Sequence, residues 1–174
     1  AATATVSGLV PTPPNNTTTF LRGDATFAAP ASGGFTLGTP QATTSGTSWN
    51  FGSIPAGTKL IIVSFQEVSF SDNVQIKVQI GDSGGIETTG YVSTTNRMAA
   101  AGVTSDTVTT SFNIGSTGNA ANIMSGHMIL SLLNSSTFLW ASSHSMIEST
   151  TVTVQGAGNK ALSAELTQLT VSGG

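Results

Sequence analysis

Few residues in this chain carry chemistry. Gly81-Asp82-Ser83-Gly84-Gly85 surrounds a serine as the nucleophile of chymotrypsin-like serine proteases is surrounded. A triad also needs a histidine base, an acid that orients it, and oxyanion donors. In those enzymes the histidine precedes the serine with the acid between them, whereas His127 and His144 both follow Ser83. The stretch therefore reads as a glycine-rich turn leaving a strand. A metal site needs converging His or carboxylate ligands. The two histidines are far apart in sequence, and Asp24, Glu67, Asp72, Asp82, Glu87, Asp106, Glu148 and Glu165 are scattered singly. A glycosidase carboxylate pair stays open, because such a pair converges only in space. The absence of cysteine excludes a disulfide scaffold, a thiolate metal site and a thiol nucleophile. The expectation is a protein that is not an enzyme and has no cofactor and no metal.

Trp49, Tyr91 and Trp140 are the aromatic residues that could stack on a sugar ring. Trp140 follows Phe138-Leu139 and reads as core. Tyr91 follows Thr88-Thr89-Gly90, a loop-like setting, although a buried ring with a hydrogen-bonded hydroxyl is the favoured reading. Arg22-Gly23-Asp24 spells an integrin-recognition tripeptide, a short pattern that recurs by chance.

The elements that must hold these residues are short strands. The chain has 174 residues, enough for one domain or one domain plus an arm. Only 7% are charged, with a net charge of −3, against roughly 25% charged in an ordinary domain. That excludes a nucleic-acid binder working through phosphate neutralisation. No apolar run approaches the roughly 20 residues of a membrane helix. Ser and Thr make up roughly three residues in ten, and Gly adds 20 more, a balance of strand and turn formers. The first residue is Ala1, so a fragment or processed product is expected.

Residues 1–34 hold four of the six prolines, and Val10-Pro11-Thr12-Pro13-Pro14 is held extended by its proline rings. This segment reads as an arm that cannot make a core alone. Residues 35–174 read as an antiparallel β-sandwich, jelly-roll-like, of about eight or nine strands. The apolar opening of 59–70 predicts a central strand. Val74, Ile76, Val78 and Ile80 alternate with polar residues and predict a strand with one wet face, entered through a Ser71-Asp72 turn. Further strands are expected over 107–114, 122–133, 137–142 and 150–154. The last spans 161–171, with Leu162, Ala164 and Leu166 on one face.

Gly8-Leu9-Val10-Pro11-Thr12-Pro13-Pro14 followed by Phe20-Leu21-Arg22-Gly23-Asp24-Ala25-Thr26-Phe27-Ala28 resembles a segment of tailed-phage tail fibre proteins. There it reads Gly-Leu-Val-Pro-x-Pro, a spacer, then Phe-Leu-Arg-Gly-Asp-Gly-Thr-Trp. Ala25 and Phe27 depart from that pattern, which otherwise accounts for Arg-Gly-Asp. Ile54-Pro55-Ala56-Gly57-Thr58-Lys59, the stretch from Val78 to Tyr91, and the late strand are similar to a β-domain that often follows that segment. Such relatives often continue past Thr170-Val171 with another hairpin, so the expectation for a chain stopping at Gly173-Gly174 is an absent closing strand or an early end.

The resemblance implies an extracellular virion protein, a homotrimeric tail fibre or tip domain that binds a host-surface glycan or protein. The arm would dock on other virion proteins or on symmetry mates through Leu9, Val10, Phe20, Leu21 and Phe27. Tyr91, Arg97 and His144 are the expected receptor contacts, on loops. A head fibre, capsid decoration or tail-assembly protein without a receptor is the alternative, followed by a glycan depolymerase. Neither nucleic acid nor membrane insertion is expected.

Overall fold

The structure, a computed structural model, describes residues 14–15, 18–24, 26–29, 34–70, 73–116 and 121–174. The chain divides into two units, Ala1–Thr39 and Pro40–Gly174. In the first, β1 (Phe20–Leu21) and β2 (Phe27–Ala28) form a small antiparallel hairpin. Its turn is held by Asp24, whose carboxylate accepts from the Thr26 N–H at 3.0 Å and the Thr26 hydroxyl at 2.7 Å. These bonds hold the Asp24 carboxyl below its ordinary pKa. The Asp-x-Thr spacing of the motif is thus that of a local Asx turn. Leu9, Val10 and the Ser71-Asp72 turn lie outside the described residues.

The second unit is an all-β antiparallel sandwich. It contains β3 (Ser48–Phe51), β4 (Leu60–Val68), β5 (Gln75–Asp82), β6 (Gly85–Ile86), β7 (Tyr91–Ala99), β8 (Gly102–Val108), β9 (Phe112–Ser116), β10 (Met124–Asn134), β11 (Leu139–Glu148), β12 (Val152–Ala161) and β13 (Gln168–Gly173). One sheet runs β4-β10-β11-β12-β7-β8. The other runs β3-β13-β5, with β6 and β9 pairing different ends of β5. Ile76, Val78 and Ile80 of β5 pack with Leu130, Met128 and Val154 of the larger sheet in one buried cluster. Each such aliphatic side chain contributes roughly 1.5–3 kcal/mol through burial.

Four expectations need correction. The strand opening on Leu60 is a sheet edge, paired among the described residues only with β10. Its apolar run splits by alternation, so that Ile61, Val63 and Phe65 turn toward the core while Leu60 and Ile62 remain 42% and 47% exposed. A bulge at Glu67, whose φ is 51°, then lets Phe65 and Val68 both face inward three positions apart. The stretch 107–114 is the end of β8 and the start of β9, which belong to different sheets. Tyr91 does not follow a loop into a loop but opens β7, a nine-residue strand. Residues 162–167 are not strand; they cross from β12 to β13, burying Leu162 and Leu166 on the way.

Candidate functional site

The Gly81–Gly85 motif makes a hairpin. β5 passes through Gly81-Asp82, Ser83 and Gly84 form an exposed turn, and β6 pairs back onto β5. Gly81 is required because a β-carbon there would collide with the Gly85 carbonyl. The Asp82 carboxylate is engaged within the turn and by the crossover. It accepts from the Gly84 N–H at 2.7 Å and from the Ser163 hydroxyl at 2.6 Å. The Ser163 bond first, then Gly84, hold its carboxyl below the ordinary pKa. Glu87 completes the fastening, accepting from the Ser163 N–H at 2.7 Å and pairing with Lys160. Burial pushes the Glu87 carboxyl up, but Lys160 and Ser163 outweigh it and leave it lowered. The motif is therefore a clasp for the 162–167 crossover.

None of the three expected receptor contacts lies on a loop. Tyr91 is 1% exposed. Its hydroxyl accepts from the Ile80 N–H at 2.8 Å and donates to the Glu87 carbonyl at 2.9 Å, while its ring meets Phe112 edge-on. Burial pushes its phenol pKa well up. Arg97 forks onto Glu148, with Nε to Oε2 at 2.6 Å and Nη2 to Oε1 at 3.1 Å, and Asn122 adds a third donor at 2.6 Å. Glu148 raises the Arg97 pKa through that bond. His144 faces the core of β11, 6% exposed, with Nε2 3.2 Å from the Thr95 hydroxyl. Thr95 in turn donates to the Asn113 carbonyl, and Asn113 donates to Asp106 at 2.9 Å. Burial lowers the imidazole pKa to about 4, so the ring is neutral near pH 7. This line of polar groups ties β7, β9 and β11 together. It places a hydroxyl beside an imidazole, with that hydroxyl committed to the Asn113 carbonyl and Thr95 3% exposed.

The aromatic candidates are also internal. Trp49 donates to the Ala42 carbonyl at 3.0 Å and packs edge-on against Phe70, and Trp140 is 1% exposed. Among the described residues no three His, Asp or Glu side chains converge on a point that could hold a metal.

What the surface does offer is a shallow depression of about 370 Å³ on the larger sheet, lined by Thr94, Asn96, His144, Gln155, Gly156 and Ala157. Thr94 and Asn96 project outward from β7, Gln155 and Ala157 from β12, and all four are exposed. Asn96 stands directly opposite Gln155 in the strand register, and Thr94 opposite Ala157. Gly156, between Gln155 and Ala157 along β12, is an inward-facing position. A β-carbon there would overlap the His144 ring and the Thr94 carbonyl, so the glycine is fixed from the core side. Of the residues singled out in the sequence, only His144 borders this depression. Thr94 and Asn96 were missed because β7 itself was not recognised; the alternation through Ser93, Thr94, Thr95 and Asn96 is polar on both faces and gives no hydrophobic period, and Gln155 lies one position past the strand expected over 150–154.

No protein-family model, curated protein or solved structure matches this chain.

Proposed function

We propose that the chain is a non-enzymatic structural protein of a tailed-phage virion, a tail fibre or tip domain that attaches the particle to a host surface. The observation that carries the reading is the apolar dress of the N-terminal unit. Phe20, Leu21, Phe35 and Leu37 are 60%, 46%, 70% and 90% exposed, and Phe27 is half-buried. Four large side chains within eighteen residues of a small unit are a cost in water unless another surface covers them. Two symmetry mates would supply that surface, and closed threefold symmetry satisfies all copies at once. The hairpin also carries the Phe-Leu-Arg-Gly-Asp-x-Thr pattern, with Arg22, Gly23 and Asp24 exposed at its turn. The sandwich fits a particle exposed to variable salt, since its buried cluster is apolar and only two ion pairs join its described residues.

A head fibre, capsid decoration or tail-assembly role is the second reading. The internal engagement of Tyr91, Arg97 and His144 favours it, because those contacts are spent on the fold. Light scattering after size exclusion tests the first reading. A mass three times 17.5 kDa, falling on Phe20→Ser/Leu21→Ser substitution, supports the arm as the threefold interface. A monomer of unchanged mass refutes it and moves the second reading ahead.

A further inference from the structure

We infer that the depression on the outer face of the larger sheet is a binding site for an uncharged, hydroxyl-rich oligosaccharide, with Asn96 and Gln155 as its recognition pair. The inference rests on the attachment reading above, since a host envelope is where such a sugar would be met.

Three observations carry it. The first is unspent hydrogen-bonding capacity. The Asn96 and Gln155 amides and the Thr94 hydroxyl bond to no other described residue, whereas the inward-facing Ser93, Thr95 and His144 beside them are engaged within the fold. Each amide offers one acceptor and two donors. Side chains directly opposite on antiparallel strands have β-carbons roughly 5 Å apart, so the two amides can engage neighbouring hydroxyls of one pyranose ring.

The second is charge. The outward positions of β10, β11, β12 and β7 carry no Asp, Glu, Lys or Arg. A polyanion or polycation finds no counter-charge there, whereas a neutral sugar needs none. The charged side chains of those strands, Arg97, Glu148 and Lys160, all turn inward to partners.

The third is shape. Ala157, opposite Thr94 and on the same face of β12 as Gln155, rises only one methyl group above the sheet, leaving a low place beside the amides against which the C–H face of a sugar ring can lie. The depression has about the volume of one or two sugar residues and is open, so each site is weak and a multivalent particle supplies the avidity.

The test is a titration of the ¹⁵N-labelled full chain with isomaltotriose, mannotriose and chitotriose at millimolar concentration, following the side-chain NH₂ signals of Asn96 and Gln155 and the backbone signal of Gly156. Hyaluronan tetrasaccharide is the acidic control. Saturable movement of those signals with a neutral probe, weakened about tenfold or more in Asn96→Ala and in Gln155→Ala, is the expected result; a tenfold change corresponds to loss of one or two hydrogen bonds. Both positions are exposed, and an unchanged melting curve shows that the variants fold. No saturable movement with any neutral probe, equal response to the acidic control, or concentration-dependent movement without sugar (a second copy covering the face) overturns the inference. Adsorption to a panel of bacterial cells separates the two readings. Adsorption retained by the Asn96→Ala/Gln155→Ala double variant overturns this site and leaves attachment standing. Sugar binding by a chain that adsorbs to no cell overturns attachment and leaves the site.

Discussion

Replacing Arg97 by Met removes the positive partner of Glu148 while keeping most of the side-chain volume. Glu148 is 1% exposed and accepts from Arg97 twice and from Asn122 once. After substitution its carboxylate keeps only the Asn122 amide. Breaking a buried pair from one side costs about 3–5 kcal/mol, because an uncompensated charge remains in a poorly solvated place. The Arg97 side chain is 35% exposed, so water partly reaches the site, and about 2–3 kcal/mol is the expected loss. For a sandwich of this size that lowers Tm by about 6–12 °C. Glu148→Gln is milder, about 1 kcal/mol, because Arg97 can turn toward water and the neutral amide can still accept from Asn122. The double variant Arg97→Met/Glu148→Leu recovers part of the loss, since no charge is left buried. Urea titration of all four proteins, followed by fluorescence of the buried Trp49 and Trp140, measures this ordering. A loss below 1 kcal/mol for Arg97→Met, or equal losses for the two single variants, refutes the argument that Glu148 is desolvated and depends on Arg97.

Three further outcomes are expected. The His144 pKa is lowered from 6.5 to about 4, so the unfolded chain binds the proton first on acidification; stability is full above pH 6.5 and falls toward pH 4, by about 3 kcal/mol at roughly 1.4 kcal/mol per pH unit. His144→Gln should flatten that window in a pH series of urea midpoints, most clearly above pH 5, whereas the lowered carboxyls of Asp82 and Glu87 add losses only as pH falls below their ordinary values of 3.8 and 4.5; a slope unchanged by the substitution sinks the assignment. Tyr91→Phe leaves the buried Ile80 N–H without the hydroxyl that accepts it and should cost about 1–3 kcal/mol with no change in adsorption to cells; weakened adsorption by a fully folded variant would return Tyr91 to the surface. Gly156→Val should destabilise by about 3 kcal/mol or more, since its side chain must displace the His144 ring and the Thr94 carbonyl, and a melting temperature within a degree or two of the parent would show that the sheet relaxes freely there.

Fold class was legible along the chain because hydroxyl-rich, β-branched composition and strict alternation at Val74–Ile80 act locally. The buried places of Ile76, Val78 and Ile80 follow from that alternation alone. The turn at Gly81–Gly85 was equally legible, since its glycines answer a local steric demand. The site was not. Whether Leu60–Val68 is an edge or a centre depends on which strands neighbour it, and an apolar run looks alike in both places. Arg97 and His144 read as surface residues because polarity is a property of the residue, whereas their partners Glu148 and Thr95 are distant in sequence and meet them only through the sheet register.

By itself the sequence determined an all-β chain with a low-charge, hydroxyl-rich surface, an apolar proline-bearing N-terminal segment and no thiol chemistry. Tertiary structure decided which polar residues are spent inside and which are left to bind. Burial and hydrogen-bond pairing are sums over neighbours from several strands, so Tyr91 closes a core while Asn96, five positions later on the same strand, faces solvent with its amide unused. The alternation of a strand sets the two faces, but only the opposite strand, bringing Gln155 to Asn96 across the ladder, makes one of them a site.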